Sequence, residues 1–233
     1  MKPVVCITGG GTGIGLATAK RCLSAGYRVI ICGRREAVLD NAIKALDYTD
    51  VYSYALDIAD YTAVNRLFKW IETEFGRLDC LVNNASIIAV DTLDTMSKET
   101  IDSLVSVNIL GTVYCSKAAV SLLKHSDSPS IITVTSLGGI QGATKFPKFS
   151  IYSMTKGALV IFTEALAVEL KEHGIRVASI APGAVDTTML KQAGAHLNTS
   201  TQPDDIAQSL LFLMQAGNKS GLTGMTMEIH SNE

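Results

Sequence analysis

The sequence has no cysteine pair at the spacing of a redox or metal motif. Its five cysteines, Cys6, Cys22, Cys32, Cys80 and Cys115, stand singly in apolar segments. That argues against a disulfide framework and a zinc site, and for reduced thiols in a cytoplasmic protein. Four dispersed histidines, His125, His173, His196 and His230, form no ligand cluster either, so no metal is expected. There is no run of like charge, and a formal net charge of −2 leaves nucleic acid no basic surface to meet. The first apolar run, Pro3 to Ile7, is too short for a secretion signal and enters a glycine cluster at once. No uninterrupted apolar stretch of membrane-spanning length is read: the best candidate, Ala158 to Leu170, carries Glu164 and Glu169. Repeats, linkers and low-complexity tracts are missing too. The 233 residues, 47% of them hydrophobic, therefore read as one domain over 1–233 with a sizeable core.

What is present alternates. Seven short apolar runs read as strands: Pro3–Thr8, Arg28–Cys32, Val51–Leu56, Leu78–Val82, Ser130–Thr135, Ile175–Ile180 and Met225–Ile229. Between them lie helix-period segments, Leu16–Ala25, Glu36–Leu46, Tyr61–Phe75, Ser97–Lys124, Ile151–His173 and Pro203–Gln215. This order predicts an α/β fold: a Rossmann-type, doubly wound, mostly parallel seven-stranded sheet with helices on both faces. Asn108, inside the long helix, marks a local kink, because its side chain competes for backbone bonds. In such a sheet ligands gather at the carboxyl ends of the strands, where most of the unusual residues fall.

The first strand runs into Gly9-Gly-Gly-Thr12-Gly13-Ile14-Gly15 and then a helix. Strand, glycine turn and helix set backbone N–H groups and a positive dipole end against a phosphate. The second strand ends at Gly33, followed by Arg34 and Arg35. An acid at this place would hold a ribose hydroxyl; arginines suit a 2′-phosphate, so NADP(H) is the expected cofactor and NAD(H) the alternative. The third strand ends at Asp57-Ile58. Asp57 is open to two roles, acceptor for the adenine amino group or N-cap of the next helix. The fourth strand leads into Asn83-Asn84-Ala85, where two small polar residues at a strand end can lock neighbouring strands or line a cofactor cleft.

The chemistry centres on Ser136, at the end of the fifth strand, and on Tyr152 and Lys156, which share a helix face one turn apart. An ammonium beside a phenol is expected to lower the phenol's pKa, letting it exchange protons with an oxygen atom near neutrality. The serine hydroxyl can hydrogen-bond the same oxygen.

Taken together, these residues resemble the classical short-chain dehydrogenase/reductase family along nearly the whole chain. Thr8-Gly9-Gly-Gly-Thr12-Gly13-Ile14-Gly15 is similar to its TGxxxGIG loop, Asn83-Asn84-Ala85 to its NNAG motif, and Pro182-Gly183 with Val185 and Thr187 to its PGxVxT segment. The resemblance implies that Asn108, Ser136, Tyr152 and Lys156 are the catalytic set. Tyr152 would be the general acid/base, Ser136 would orient the substrate oxygen, and Lys156 would bind the nicotinamide ribose. Asn108 would hold a water connecting Lys156 to solvent. It further implies a hydride exchanged with a ketone or secondary alcohol, and a homodimer or homotetramer built on the long helices. The alternatives are a non-catalytic nucleotide sensor or scaffold on the same fold, and an enoyl reductase, which the four-residue tyrosine–lysine spacing disfavours.

There are departures. Ser86 stands where the family has glycine, and Tyr152 follows Ser136 by sixteen positions, about three more than the family pattern. Lys145 and Lys148 fall on that enlarged loop, and an anionic substrate tail is one reading of them. Residues 187–202 are expected to form a short substrate lid.

Overall fold

The computed structural model describes residues 2–194, 199–217 and 221–231. Seven strands form one sheet: β1 (Val4–Thr8), β2 (Arg28–Gly33), β3 (Val51–Ala55), β4 (Cys80–Asn83), β5 (Ser130–Val134), β6 (Arg176–Pro182) and β7 (Met225–Ile229). Their order is β3-β2-β1-β4-β5-β6-β7 and every pair is parallel. The order reverses direction beside β1, so the β1 and β4 loops flank a crevice at the carboxyl edge.

The helices are α1 (Gly13–Ser24), α2 (Glu36–Leu46), α3 (Tyr61–Phe75), α4 (Lys98–Leu104), α5 (Thr112–Leu123), α6 (Ser150–Glu169), α7 (Thr188–Ala193) and α8 (Pro203–Gln215). Alternate strand residues feed two separate cores. Val4, Cys6, Ile30 and Leu81 pack with α3, α5 and α6 on one face. Val5, Ile7, Ile31 and Val82 pack with α1, α2 and α8 on the other. Both faces are covered, which is why the strands are almost continuously apolar.

The long helix expected over 97–124 is interrupted. Between α4 and α5 the chain widens into a π-helical segment, Val105–Gly111. At its centre the Asn108 carbonyl accepts from the Thr112 hydroxyl at 3.0 Å. Gly111 lies so close to Ile58 that a Cβ there would come within 2.7 Å of that side chain. Such bulges re-aim a side chain out of the regular helical register. The sixth strand runs two residues further than expected, through Ala181 and Pro182, held by β7. The helix expected to reach His173 stops at Glu169 and closes with a 3₁₀ turn and left-handed Gly174.

Two helical stretches, Lys98–Leu123 and Ser150–Glu169, are long and apolar enough to cross a membrane by length and composition. This corrects the sequence reading, which let two glutamates disqualify the second and passed over the first. Their apolar character has another use here, since Cys115, Ala119, Leu159 and Leu166 are buried against the fold.

Candidate active site

The loop after β1 and the loop after β4 are stitched together by one threonine. Thr8 Oγ1 accepts from the backbone N–H of Asn84 and of Ala85, both at 3.0 Å. The Asn84 amide donates back to the carbonyls of Thr8 and Gly9, at 2.9 and 3.2 Å. A side chain on Gly15 would run into the Gly9 carbonyl, so only glycine allows α1 to begin this close to the strand. The first turn of α1 has neither a side-chain cap nor an acidic residue. Its N–H groups and dipole end therefore suit an anion such as a pyrophosphate. Gly13 faces the Thr187 side chain, which brings the glycine loop beside the Pro182–Thr187 segment. Val185 is buried, Gly183 donates to Ile229, and Thr187 caps α7 by accepting from Leu190.

Arg34 follows β2, with its Nη1 4.0 Å from Asp57 Oδ2. Asp57 is not a helix cap: its Oδ1 accepts from Ala59, while Asp60 caps α3 through Thr62 and Ala63. That leaves the cap alternative with Asp60 and Asp57 beside the arginine. Arg35 occupies the N-cap position of α2 without a side-chain cap bond. Ile58 is buried, packed at the π segment rather than open to a cleft.

Ser136 closes β5 in extended conformation, and its Oγ accepts from Gly138 at 3.2 Å. The 3₁₀ turn that follows, Leu137–Gly139, rides directly on α6: a Cβ at Gly139 would lie 2.6 Å from the Gly157 nitrogen. That contact carries Ser136 up to Tyr152 in the first turn of α6. There the Ser136 hydroxyl is the neighbouring group that favours the ionised phenol. Lys156, 2% exposed, lies one turn on and donates to the Val134 carbonyl at 3.0 Å.

The electrostatics differ from the expected tuning. Burial pushes the Tyr152 phenol up to about 12, with the Ser136 hydrogen bond acting the other way. Burial also lowers Lys156 to about 8. The lysine does not pull the phenol down because its ammonium is turned to a backbone carbonyl, 5.8 Å from the tyrosine ring centroid.

Asn108 is fully buried and both donors of its amide are committed. Oδ1 accepts from Ile87 N–H at 2.8 Å, and Nδ2 donates to the Ile87 carbonyl at 3.0 Å and Thr155 Oγ1 at 3.1 Å. The side chain therefore has no donor left for a water, and only its carbonyl retains a lone pair for one. Thr155 went unnoticed in the sequence reading; its signal is its place between Tyr152 and Lys156 on the buried side of α6. Gly139 and Gly157 were missed as well, and a glycine directly after Lys156 inside a helix is the clue.

On the enlarged loop, Lys145 folds its ammonium onto the carbonyls of Ile140 and Ala143. It caps its own loop, so its ammonium is tied back to that loop while keeping its charge. Of the expected lid, residues 188–193 form α7, and residues 195–198 lie outside the described residues. Among the described residues no group of acidic, histidine and cysteine side chains can hold a metal ion.

Comparison with known proteins places this arrangement. The family described as short chain dehydrogenase matches residues 3–198. An uncharacterized oxidoreductase of Staphylococcus aureus (strain USA300) is 32% identical over 211 residues, covering 91% of this chain and 90% of that protein. Among solved structures, 3-ketoacyl-(acyl-carrier-protein) reductase from Brucella melitensis complexed with NADH superposes with a TM-score of 0.90. It is 28% identical and covers 98% of this chain and 96% of its own. ElxO with NADP bound gives 0.88 at 31% identity, covering 99% and 98%.

Proposed function

The chain belongs to the short-chain dehydrogenase family of oxidoreductases, and from that premise we propose that it is an NADP(H)-dependent enzyme exchanging a hydride with a ketone or secondary alcohol. One observation carries the reading. Ser136 and Tyr152, whose hydroxyls act on one another, sit at the carboxyl edge of the sheet, the edge that also carries the uncapped start of α1 and the glycine loop held by Asn84.

The glycine loop from Gly9 to Gly15, with Asn84, Ala85 and the Pro182–Thr187 segment, would hold a nicotinamide dinucleotide, and Arg34 beside Asp57 would take its 2′-phosphate. When bound, the nicotinamide supplies or accepts the hydride. Ser136 orients the substrate oxygen. Tyr152 gives it a proton in reduction and removes one in oxidation. A phenol held protonated by burial is in the donating form at neutral pH. Lys156 holds positive charge behind the tyrosine, and Asn108 fixes the π turn and the Ile87 backbone around it. The non-catalytic alternative leaves this convergence of three proton-carrying groups without a use.

Two further parts of the reading rest on the surface and the thiols. Met154, Ile161 and Val168 form an exposed stripe at seven-residue spacing on α6, which supports a homodimer or homotetramer built on that helix. All five cysteines are buried and free, which supports a reducing, cytoplasmic setting.

The test is NADPH oxidation with a panel of carbonyl compounds, in the wild type and in Tyr152→Phe. Turnover is expected to fall by about 100-fold or more in the variant, while NADPH binding, followed by fluorescence, changes little. Near-normal turnover in Tyr152→Phe overturns the assigned role. Tight NADPH binding without turnover of any carbonyl favours the non-catalytic alternative.

A further inference from the structure

Phe146, Phe149 and Tyr152 form a chain of edge-to-face rings leading out of the site. The centroid distances are 6.4 Å from Tyr152 to Phe149 and 6.4 Å from Phe149 to Phe146. The outer ring is 61% exposed. A phenyl ring left this open to water on a loop gains little from folding, so its position asks for another explanation.

The loop that carries it is built to stay in place. Lys145 bonds two carbonyls of the same loop, Ile140 and Ala143. Lys148 takes a left-handed backbone conformation, φ 71°, uncommon for a residue with a Cβ. That reversal lets its carbonyl accept from the Asp91 N–H at 3.1 Å, joining the loop to the segment after β4. The opposite segment is itself fixed, since Asp91 Oδ1 accepts from both Thr92 N–H and Thr95 Oγ1. It also presents an exposed apolar side chain, Leu93, 65% exposed. Two tied walls beside the phenol thus each offer a large apolar group to solvent. Charges on them are balanced, with Asp91 and Asp94 on one and Lys145 and Lys148 on the other.

We infer that Phe149 and Phe146 are specificity-determining residues, a platform for a flat, uncharged apolar group attached to the substrate carbonyl. The enzyme then prefers aryl or cyclic ketones to small aliphatic ones and to anionic ones. This rests on the carbonyl-reductase reading and extends it to a substrate class. The T-shaped ladder leaves the Phe146 ring available for a planar substituent, and aromatic contact adds to area burial. Lys145 is tied back onto its own loop, and Asp91 and Asp94 on the facing segment offset the two loop lysines, so an anionic tail gains little.

The experiment compares kcat/KM with NADPH for 1-phenyl-1,2-propanedione, 2,3-butanedione and phenylglyoxylate, in the wild type, Phe146→Ala and Phe146→Tyr. The exposed position of Phe146 makes both variants safe for folding. The wild type is expected to prefer the aryl dione to both others. The aryl-over-aliphatic ratio is expected to fall about three- to tenfold in Phe146→Ala and to be kept in Phe146→Tyr. If the wild type turns over 2,3-butanedione or phenylglyoxylate as well as the aryl dione, or if the ratio ignores Phe146→Ala, the platform is wrong while the reductase reading stands. If none of the three consumes NADPH although NADPH binds, the reductase reading fails and the platform with it.

Discussion

Asn108 and Thr155 are hydrogen-bonded in the core at 3.1 Å, across 47 positions of sequence, and they join the π turn to the helix bearing Tyr152 and Lys156. The same amide pairs with both backbone groups of Ile87. One side chain thus sets the distance between three elements that line the site. Replacing it by alanine leaves the Ile87 N–H and C=O unpaired in a part-buried place. The expected loss for Asn108→Ala is about 2–4 kcal/mol by urea unfolding. Thr155→Val, which keeps both Ile87 bonds, is expected to cost only about 1 kcal/mol. Equal losses in the two variants would show that the Ile87 pairing carries no weight.

The fold and the glycine turn before α1 were legible because they rest on local patterns. The two-sided burial of β1 follows from unbroken Val4-Val5-Cys6-Ile7, and the glycine loop is a single contiguous motif. The register of Ser136 against Tyr152 was not legible, because it depends on a backbone contact between Gly139 and Gly157. Asn108 was read as a kink and the kink is there, but its form depends on partners far away in sequence, Ile87 and Thr155. The direction of the Tyr152 shift was misjudged for a similar reason. Spacing shows that a lysine is near a phenol; it does not show that the ammonium points at the Val134 carbonyl while burial acts on both groups.

Lys156 makes the cofactor-free protein's stability depend on pH. Its ordinary value is 10.5 and its folded value about 8. Between those values the unfolded chain binds more protons than the folded one, so stability rises with pH across that window. The deficit is full below pH 8 and is relieved as pH approaches 10.5. Urea unfolding of the wild type at pH 7 and pH 9.5 is expected to show a gain of roughly 2 kcal/mol that Lys156→Met lacks. At pH 7 the variant is expected to be the more stable protein. Parallel pH profiles for the two proteins would mean that the ammonium is compensated in the fold and its pKa unshifted.

Arg34 sets the last expectation, the choice between phosphorylated and unphosphorylated cofactor. Gly33 leaves no carboxylate side chain at the end of β2, and the guanidinium stands 4.0 Å from Asp57, itself part-exposed. A 2′-phosphate would gain a charge-assisted bond that a 2′-hydroxyl cannot match, worth about 1.5–3 kcal/mol, or roughly 10- to 100-fold in affinity. Arg34→Ala is therefore expected to weaken NADPH by that factor and NADH by less than about threefold. Asp57→Asn removes the competing carboxylate and is expected to tighten NADPH slightly, an effect that added salt should erase because both groups face solvent. Fluorescence titration of both cofactors against the three proteins measures all of this. Wild-type protein that binds NADH as tightly as NADPH would remove the arginine from the specificity argument.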